Sequence, residues 1–594
     1  MLVKLVRLLP VMFYSAVVLW VLAFIFPVGF YPFQDFTRDY LTAFAALLLF
    51  SDVFWQRNSA ISFSQSFIFL ILGLVGLLVS YLATSPSVPI SYNMYLIAFL
   101  TCAWVSLSVT ELKSVYSQEI IIDRFASLIL LVSILGGLVG LLRYYGVLKY
   151  IIPVISEDGS RFLGPFGQPN LTAILMAIGL SAVLFLKSKR DALGSISFYI
   201  TLCYLIYCGT LTGSRAWFVV VFAVLLLWLF FYFNLNSDDK LKKKWFRGHL
   251  LVSTCLFFVA IWAVPIFDAI VSEPLIESGY INRVSAETMY SQREMAGSSG
   301  RFDEWKKVVE AEAFDDKLWT GYGAGRYGVF SNEVALNNQL QGNGQIWNNA
   351  HNIFVNFFIE FGLLGLFFII SFYFYILIMV MKSEKNEPSI FLISIISIFV
   401  LHSLVEFSLW SFPFLATFLV AISLLDNSHR FNFSDHKIKR VIVLFFLIVF
   451  LPFGYYVGRD ALIVVDVMFK QAPKLSDRIA LDDVLRSSIV GDKAASVLIL
   501  KFQPPTLGLE HALAQMEKLS DWRPEPLFLL RKSSLLAATG RYEKACLSIT
   551  NSIKVYPIAL TPIQKELSFF AENLDMNSHL YNECIFRGVG NWVK

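Results

Sequence analysis

The sequence predicts an all-α polytopic membrane protein with about 12–13 transmembrane helices, a large periplasmic loop and a C-terminal helical, TPR-like (tetratricopeptide-like) periplasmic domain. Hydrophobic residues make up 57% of the 594 residues and charged residues 15%, against roughly 45–50% and about 25% in ordinary globular domains. Apolar runs of about 20 residues recur over the first three quarters of the chain, and each can cross a hydrocarbon core of roughly 30 Å. This composition excludes a disordered chain and a disulfide-dense scaffold.

Thirteen apolar runs are predicted to cross the membrane. They lie approximately at residues 8–30, 40–55, 62–82, 92–110, 122–142, 168–186, 196–211, 216–234, 250–271, 351–381, 389–406, 410–425 and 441–460. The first run follows Lys4 and Arg7 but lacks a small-residue cleavage site, and further spans follow it. We therefore interpret it as a retained helix rather than a removed signal peptide.

The Lys and Arg residues of the short loops predict the orientation, because they are retained on the cytoplasmic side. Alternate loop ends are rich in them, for example residues 187–190, 240–247 and 430–440. The opposite short loops carry few, namely Arg38, Arg143, Lys149, Arg161 and Arg215. We therefore predict a cytoplasmic N-terminus, a periplasmic C-terminal region and a location in a bacterial inner membrane.

This predicted membrane topology divides the chain into four segments. We predict N-terminal transmembrane helices over 1–271, a large periplasmic loop over 272–350, C-terminal transmembrane helices over 351–460, and a periplasmic helical domain over 461–594. The large loop contains charged and Gly/Asn-rich stretches and is predicted to fold with one or two helices.

Residues 529–557 fit a helix-turn-helix repeat of tetratricopeptide type. The matching positions are Gly540, Tyr542, Ala545, Ile549, Ser552 and Pro557. One hairpin cannot bury its apolar face alone, so neighbouring helices in 465–528 and 560–590 are predicted to stack on it. We interpret the region as a surface for a protein partner, with a structural cap as the alternative. Whether Cys546 and Cys584 pair stays open, because sequence does not show geometry.

Polar residues at the predicted outer ends of the spans are the candidates for function. GPFGQPN (164–170) places Gln168 at the mouth of the sixth span, and a Gly/Pro turn capped by Asn170 is the structural alternative. TGSRAW (212–217) places Arg215 at the start of the eighth span. Its planar guanidinium suits a phosphate, although an arginine there can also simply snorkel.

Two further arginines lie in the large loop. Arg301 opens an amphipathic stretch, and Arg326 lies in GYGAGRYG (321–328). For each of them a solvated surface charge is the alternative.

Two histidine segments complete the candidates. His351 falls in the first turn of a run, 351–381, that is predicted to form one helix of about 46 Å. A helix N-terminus disfavours imidazolium, so we predict a neutral His351 that can accept a proton in the aqueous interface, with interfacial hydrogen bonding as the alternative. His402 and Glu406 in HSLVEFSLW are predicted to share one helical face, where a structural tie is the alternative.

Together these motifs resemble the O-antigen ligase (Wzy) superfamily, and in particular its pilin-glycosylating branch, the PglL-type protein O-oligosaccharyltransferases. The resemblance covers roughly residues 160–425, and the C-terminal extension is similar to the extra domain of that branch. It implies en bloc transfer of an oligosaccharide from undecaprenyl pyrophosphate to a Ser or Thr hydroxyl of a periplasmic protein such as a pilin. It also implies an essential His351, with Arg215 and Arg301 as pyrophosphate contacts.

We add Arg326 to the predicted donor site and assign Gln168, Asn170, His402 and Glu406 to substrate binding. Displacement at the anomeric carbon needs a base for the alcohol and cationic donors for the departing pyrophosphate. One direct displacement predicts inversion. The sequence has no metal-ligand spacing, so we predict no metal and no cofactor. The expected partners are the lipid-linked oligosaccharide, an acceptor protein and membrane lipid, but no nucleic acid.

Three alternatives remain open at this stage. An O-antigen ligase would use the same donor with a lipid A-core acceptor, and an O-antigen polymerase would use a second lipid-linked glycan. The long outer tail favours a protein acceptor over both. A non-enzymatic lipid-linked glycan transporter would need polar groups on both membrane sides, whereas here they gather on one.

Overall fold

The computed structural model describes the chain in segments. Not described are residues 1–8, 28–34, 57–61, 87, 153–160, 190–193, 235–239, 282–300, 311–316, 338–346, 427, 431–435, 488, 575 and 590–594. Part of the predicted large loop therefore lies outside the described residues, including most of its first third.

Among the described residues, a helix overlaps each of the thirteen predicted spans. These helices are α1 (Leu9–Ile25), α2 (Phe36–Gln56), α3 (Ser66–Thr84), α4 (Ile90–Lys113), α5 (Gln118–Tyr144), α7 (Pro169–Lys189), α8 (Ser195–Leu211), α9 (Arg215–Asn234), α10 (Lys240–Glu277), α13 (Ile353–Lys382), α14 (Glu387–Ser403), α15 (Phe412–Leu425) and α16 (His436–Phe469). The remaining helix of the first half is the single turn α6 (Leu148–Ile151).

Eight of these helices are long and apolar enough to cross a membrane, by length and composition over the described residues. They are α3, α4, α5, α7, α9, α10, α13 and α16. Four others, α1, α8, α14 and α15, are apolar but shorter, and α2 carries Arg38, Asp39 and Asp52 within its 21 residues. The predicted all-α polytopic membrane fold is confirmed.

The polar segments also fold mainly as helices. They are α11 (Arg301–Glu310), α12 (Tyr327–Asn337), α17 (Leu475–Ser487), α18 (Gly491–Lys501), α19 (Leu509–Trp522), α20 (Pro526–Ala538), α21 (Tyr542–Val555), α22 (Leu560–Leu574) and α23 (Asn582–Val589). Short 3-10 turns lie at Ser408–Trp410, Pro557–Ala559 and Ser578–Tyr581. Two three-residue strands, β1 (Ser62–Ser64) and β2 (Ser428–Arg430), pair antiparallel.

The chain forms two compact units, each assembled from three stretches of sequence. The first unit contains Met1–Leu72, Ala98–Gly297 and Ser371–Leu451. The second unit contains Gly73–Ile97, Ser298–Ile370 and Pro452–Lys594.

The first unit is built around α7, in which nearly all side chains are buried. This helix packs against α5, α8, α9 and α14. Its sequence carries no charge until Lys187, and small residues such as Ala173 and Ala177 recur along it. Small side chains let neighbouring helix backbones approach closely, which is how membrane helices pack.

The C-terminal part of the second unit is a stack of helical hairpins. α20 and α21 form the hairpin predicted at 529–557, with Gly540 between them at φ 73°. Ala545 and Ile549 are fully buried, and α19, α22 and α23 pack on the hairpin. The expected stacking of neighbouring helices is confirmed, while the repeat type stays a prediction.

Cys546 and Cys584 form a disulfide that joins α21 to α23, with their Cα atoms 5.1 Å apart. The structure thus makes the pairing that the sequence left open. Disulfides persist mainly in oxidising compartments.

The tenth predicted span is not one continuous helix. Within α13 the backbone of Gly362 is non-helical, with φ 65° and ψ −156°. The residues after this break, 363–382, give a helix of about 30 Å, which by itself matches the hydrocarbon thickness. The prediction of a single helix of about 46 Å is therefore wrong, and residues 353–361 form a separate short helix before the break.

Candidate functional site

The GPFGQPN turn of the first unit is held by buried arginines. Arg38, which is 0% exposed, donates from Nη2 to the carbonyl of Pro165 and from Nη1 to that of Phe166 at 3.3 Å. Arg143 donates to the carbonyl of Gly164 at 3.4 Å. Because each guanidinium carries several donors in a fixed plane, the two residues set the shape of three consecutive carbonyls.

The side chain of Gln168 caps the helix that follows this turn. Its Oε1 accepts from the backbone N–H of Leu171 at 2.6 Å, at the N-terminus of α7. The alternative in which Asn170 caps the helix is therefore wrong, because Asn170 already lies inside the first turn of α7. Its side chain is instead directed to a tertiary contact.

Asn170 connects two other motifs. Its Oδ1 accepts from Ser214 Oγ at 2.8 Å, and its Nδ2 donates to Glu406 Oε2. Glu406 is 3% exposed. The first unit therefore brings together the turn before α7, the turn before α9 and the segment after α14. We call Ser214, Asn170 and Glu406 the amide cluster.

The predicted pairing of His402 with Glu406 on one helical face is wrong. α14 ends at Ser403, so Glu406 lies beyond the helix and turns towards Asn170. His402, which is 1% exposed, places Nδ1 3.2 Å from Ser408 Oγ. These contacts support a structural role for His402 and leave Glu406 as the carboxylate of the amide cluster.

Arg215 is the first residue of α9 and directly follows Ser214 of the amide cluster. Its side chain is exposed. It makes no hydrogen bond or ion pair with any residue that the structure describes. This position leaves its guanidinium open to a ligand.

Arg161 donates from Nε to the carbonyl of Thr212 at 3.0 Å, within the TGSRAW motif. Sequence reasoning did not give Arg38, Arg143 and Arg161 any part in the site. A signal was present, because all three lie on the side that is predicted to carry few basic residues.

In the second unit, His351 lies at the entrance to α13 in a left-handed backbone conformation with φ 49°. A non-glycine residue there costs about 1–2 kcal/mol, and such strain persists only where the surroundings hold it. The His351 N–H donates to Asn349 Oδ1 at 3.1 Å. Its ring packs edge-to-face against that of Trp347, with centroids 4.8 Å apart. The imidazole remains partly exposed.

Ala350, the residue before His351, is held at both of its backbone polar groups. The N–H of Ala350 donates to Asn356 Oδ1 at 3.2 Å, and its carbonyl accepts from Trp305 Nε1 at 2.7 Å. Ala350 itself is fully buried. The left-handed turn at His351 is therefore fixed by α11 on one side and α13 on the other.

The contact from Trp305 also locates Arg301. The two residues are four apart in α11, so they lie on the same side of the helix. Arg301 thus stands one helical turn from the residue that holds the His351 segment. The structure brings these two predicted site residues into one region of the second unit.

Arg326 has a different environment. Its Nη1 donates to the carbonyl of Tyr322 at 3.4 Å and its Nη2 to the carbonyl of Asp521 at 3.0 Å. These bonds tie the loop before α12 to α19. The geometry therefore favours a structural role for Arg326 over the predicted contact with the donor pyrophosphate.

The loop that contains Arg326 fills the break in α13. The N–H groups of Tyr322 and Gly323 donate to the carbonyls of Ile359 and Glu360 at 2.9 and 2.8 Å. Gly321 and Gly362 make this approach possible, because a Cβ on Gly321 would lie 2.5 Å from the Glu360 backbone. The backbone groups released by the break are thus satisfied within the protein, as a membrane helix requires.

Tyrosines of this region do not supply a base. Burial, followed by the charge of nearby Glu333, raises the pKa of Tyr322. Burial, followed by the charge of Glu304, raises the pKa of Tyr327. Both phenols stay protonated near neutral pH, so neither is suited to accept a proton.

No group of three or more His, Cys, Asp or Glu residues among the described residues is arranged to hold a metal ion. Metal independence remains a prediction.

Two protein families match the chain. Residues 200–370 match the family described as O-Antigen ligase, a range that contains Arg215, Arg301, Arg326 and His351. Residues 390–564 match the family described as Virulence factor membrane-bound polymerase, C-terminal. Each match covers less than a third of the 594 residues. No curated protein matches the chain.

These matches are consistent with the ligase/Wzy superfamily that the motifs resembled. Together with the polytopic helical fold, they indicate an O-antigen ligase- or polymerase-like multi-pass membrane enzyme with a glycan-transfer activity.

Proposed function

We propose that this protein is a PglL-type O-oligosaccharyltransferase of the bacterial inner membrane. It transfers an oligosaccharide en bloc from undecaprenyl pyrophosphate to a Ser or Thr hydroxyl of a periplasmic acceptor such as a pilin. The observation that carries the proposal is the partly exposed His351, held in a strained backbone conformation within the region that matches the O-antigen ligase family. Strain of this kind clusters at functional sites.

In the proposed reaction, His351 accepts the proton of the acceptor hydroxyl. The hydroxyl oxygen attacks the anomeric carbon, and the bond from that carbon to the pyrophosphate oxygen breaks with its electron pair moving to the pyrophosphate. One displacement inverts the anomeric centre. General-base catalysis of this kind is commonly worth about 10²–10⁴-fold in rate.

Arg301 and Arg215 are the proposed contacts for the departing pyrophosphate. Arg301 stands one helical turn from Trp305, which binds the His351 segment. Arg215 is exposed at the start of α9. A guanidinium can meet pyrophosphate oxygens with two parallel N–H donors, so it stabilises the charge that accumulates on the leaving group. Gln168, Asn170 and Glu406 are proposed to shape the substrate pocket, with His402 in support.

A protein acceptor is proposed because the second unit carries a folded helical domain stapled by the Cys546–Cys584 disulfide. Stacked helical hairpins offer extended surfaces for a polypeptide. A polymerase is the second candidate, since residues 390–564 match a polymerase family. An O-antigen ligase acting on lipid A-core is the third, and a glycan transporter stays the non-enzymatic alternative.

Reconstitution distinguishes these candidates. Purified protein in proteoliposomes is supplied with lipid-linked oligosaccharide and, in parallel, with a pilin, with lipid A-core or with no further acceptor. Mass spectrometry of a glycosylated pilin supports the proposal. Glycan ladders on the carrier lipid without glycoprotein indicate a polymerase, and glycan on lipid A-core indicates a ligase.

The proposed orientation has its own measurement. Alkaline phosphatase fused after residue 340 or 594 is expected to be active in the periplasm, and a fusion after residue 245 inactive. Full-length fusion protein on immunoblots serves as the control. An inactive fusion at the C-terminus contradicts the periplasmic location of the tail.

A further inference from the structure

A buried carboxylate lies just before the break in α13. Glu360 is 1% exposed and has no ion-pair partner among the residues that the structure describes. Its Oε2 accepts from Gly325 N–H at 2.8 Å and from Tyr95 OH at 2.5 Å, and its Oε1 accepts from Asn356 Nδ2 at 3.0 Å. An unpaired buried carboxylate is expensive to maintain, so its presence needs a reason beyond packing.

Asn356 links Glu360 to the segment that contains His351. It is also 1% exposed, and its Oδ1 accepts from the N–H of Ala350 at 3.2 Å. A backbone N–H can only donate, so the carbonyl end of the Asn356 amide must face Ala350 and its NH₂ end must face Glu360. We call Glu360, Asn356 and the Ala350 N–H the Glu360 chain.

Both carboxylate oxygens of Glu360 face hydrogen-bond donors. Gly325 presents a backbone N–H to one carboxylate oxygen, and Asn356 presents its NH₂ to the other. Only a carboxylate places an acceptor at both points, since a glutamine amide has one oxygen. The chain therefore defines the position of the Ala350 peptide, whose next residue is the strained His351.

We infer that Asn356 and Glu360 are positioning residues. They hold His351 in the left-handed conformation in which its imidazole takes the proton from the hydroxyl of the acceptor. The inference rests on the base role proposed for His351. Without the Glu360 chain, the backbone of Ala350 loses one of its two anchors, and the imidazole of the next residue moves away from the reacting hydroxyl. A displacement of about 1 Å can cost about 10²-fold in rate.

The chemistry of the chain provides a sharp test by exchange. Glu360→Gln replaces one acceptor oxygen by an NH₂ donor, which then faces either the Gly325 N–H or the NH₂ of Asn356. If the amide of Asn356 flips to accept from the new NH₂, its own NH₂ faces the Ala350 N–H. Asn356→Asp sets two carboxyl groups against each other. The double variant Asn356→Asp/Glu360→Gln restores every bond. Its new amide at position 360 accepts from the Gly325 N–H and donates to the new carboxylate at position 356, which accepts from the Ala350 N–H.

Two readouts are measured on the full-length protein in nanodiscs or proteoliposomes. The first is the kcat and the donor KM of glycan transfer to a pilin. The second is the rate at which diethyl pyrocarbonate modifies His351, followed by peptide mass spectrometry, with His579 as the internal reference. The second readout needs no glycan transfer, so it tests the positioning even if the proposed function fails.

Each single variant is expected to lower kcat by about 10–10²-fold with donor KM nearly unchanged, and to change the modification rate of His351 several-fold. The double variant is expected to return both values close to wild type. Glu384→Gln is the matched control, because Asn386 likewise accepts from a backbone N–H and donates to Glu384 on an exposed surface. It should alter neither readout.

The inference is overturned if the single variants lower the melting temperature but leave kcat and the His351 modification rate at wild-type values. It is equally overturned if the double variant folds and yet recovers neither readout. Should a single variant fail to fold, the double variant alone decides, since it must match the wild type in both measurements.

Discussion

The two units hold their candidate residues by different means. In the first unit, the amide cluster of Ser214, Asn170 and Glu406 joins side chains from three separate segments. In the second unit, His351 has a strained backbone, and both backbone polar groups of the preceding residue, Ala350, are bound. A side-chain cluster tolerates small rearrangements, whereas a strained backbone has one arrangement that its anchors must maintain.

Under the proposed function, this difference separates the residues proposed for substrate binding from the proposed base. Proton transfer depends on geometry within a few tenths of an ångström, which a pinned backbone provides. Recognition of a variable glycan needs hydrogen-bonding groups near a pocket but less exact placement. The following substitutions compare the two units, from the largest expected effect to the smallest.

Replacement of His351 by Ala removes the proposed base. We expect transfer to fall by about 10²–10⁴-fold while binding of the lipid-linked donor is retained. The measurement is single-turnover transfer to a pilin, together with donor binding to the same folded preparation. Near-normal transfer by His351→Ala contradicts the base assignment and directs attention to Glu406 in the first unit.

Replacement of Arg215 by Lys keeps the charge but removes the two-pronged donor. We expect donor KM and kcat both to worsen, because a single ammonium replaces two parallel hydrogen bonds worth about 1.5–3 kcal/mol each when charged. Arg326→Lys is the matched comparison. Because Arg326 binds backbone carbonyls of Tyr322 and Asp521, this variant should lower the melting temperature with little effect on donor KM. If Arg326→Lys and Arg215→Lys raise donor KM equally, Arg326 also contacts the donor.

Glu406 distinguishes a structural cluster from a substrate site. Glu406→Leu leaves the amide of Asn170 without its acceptor, so we expect a loss of about 1–3 kcal/mol in stability. Glu406→Gln can still present an oxygen to Asn170 and should preserve the melting temperature. If Glu406→Gln is stable but transfers poorly, the carboxylate charge acts on substrate; unchanged transfer assigns Glu406 to structure alone.

His351→Gly separates the effect of backbone strain at this position from the effect of losing the imidazole. Glycine adopts φ 49° without the penalty that alanine meets, so the Gly variant should be more stable than His351→Ala by about 1 kcal/mol. Both variants should lose transfer to a similar extent, because both lack the imidazole. The measurement is the melting temperature of the two proteins in the same lipid. A less stable Gly variant would mean that the backbone at this position is not strained.

Much of the fold was accessible from the sequence. Every predicted span corresponds to a helix, because hydropathy reflects a local property of about 20 residues. The hairpin at 529–557 followed from the turn glycine and the helical spacing of small residues. Gln168, Asn170, Arg215 and Glu406 were recognised as polar groups at apolar boundaries, and three of these segments meet in the first unit.

Other parts of the site were not recognised. Glu360 and Asn356 lie in an apolar run that was predicted as one continuous span. They were therefore treated as part of a helix and given no role in the site. Tyr95, 265 residues away from Glu360 in sequence, gave no indication of its contact. Arg38 and Arg143 counted only as scarce outer charges, although they hold the carbonyls of the GPFGQPN turn.

The sequence by itself determined the membrane class, the helices, and the residue types available for base and phosphate contacts, since these depend on composition and short-range spacing. Only the tertiary structure decided that Cys546 pairs with Cys584, that α13 breaks at Gly362, and that Glu360 is linked through Asn356 to the N–H of Ala350. Those features depend on hydrogen bonds and covalent links between residues distant in sequence. Such links exist only when packing brings their partners together, and no local pattern records the partner.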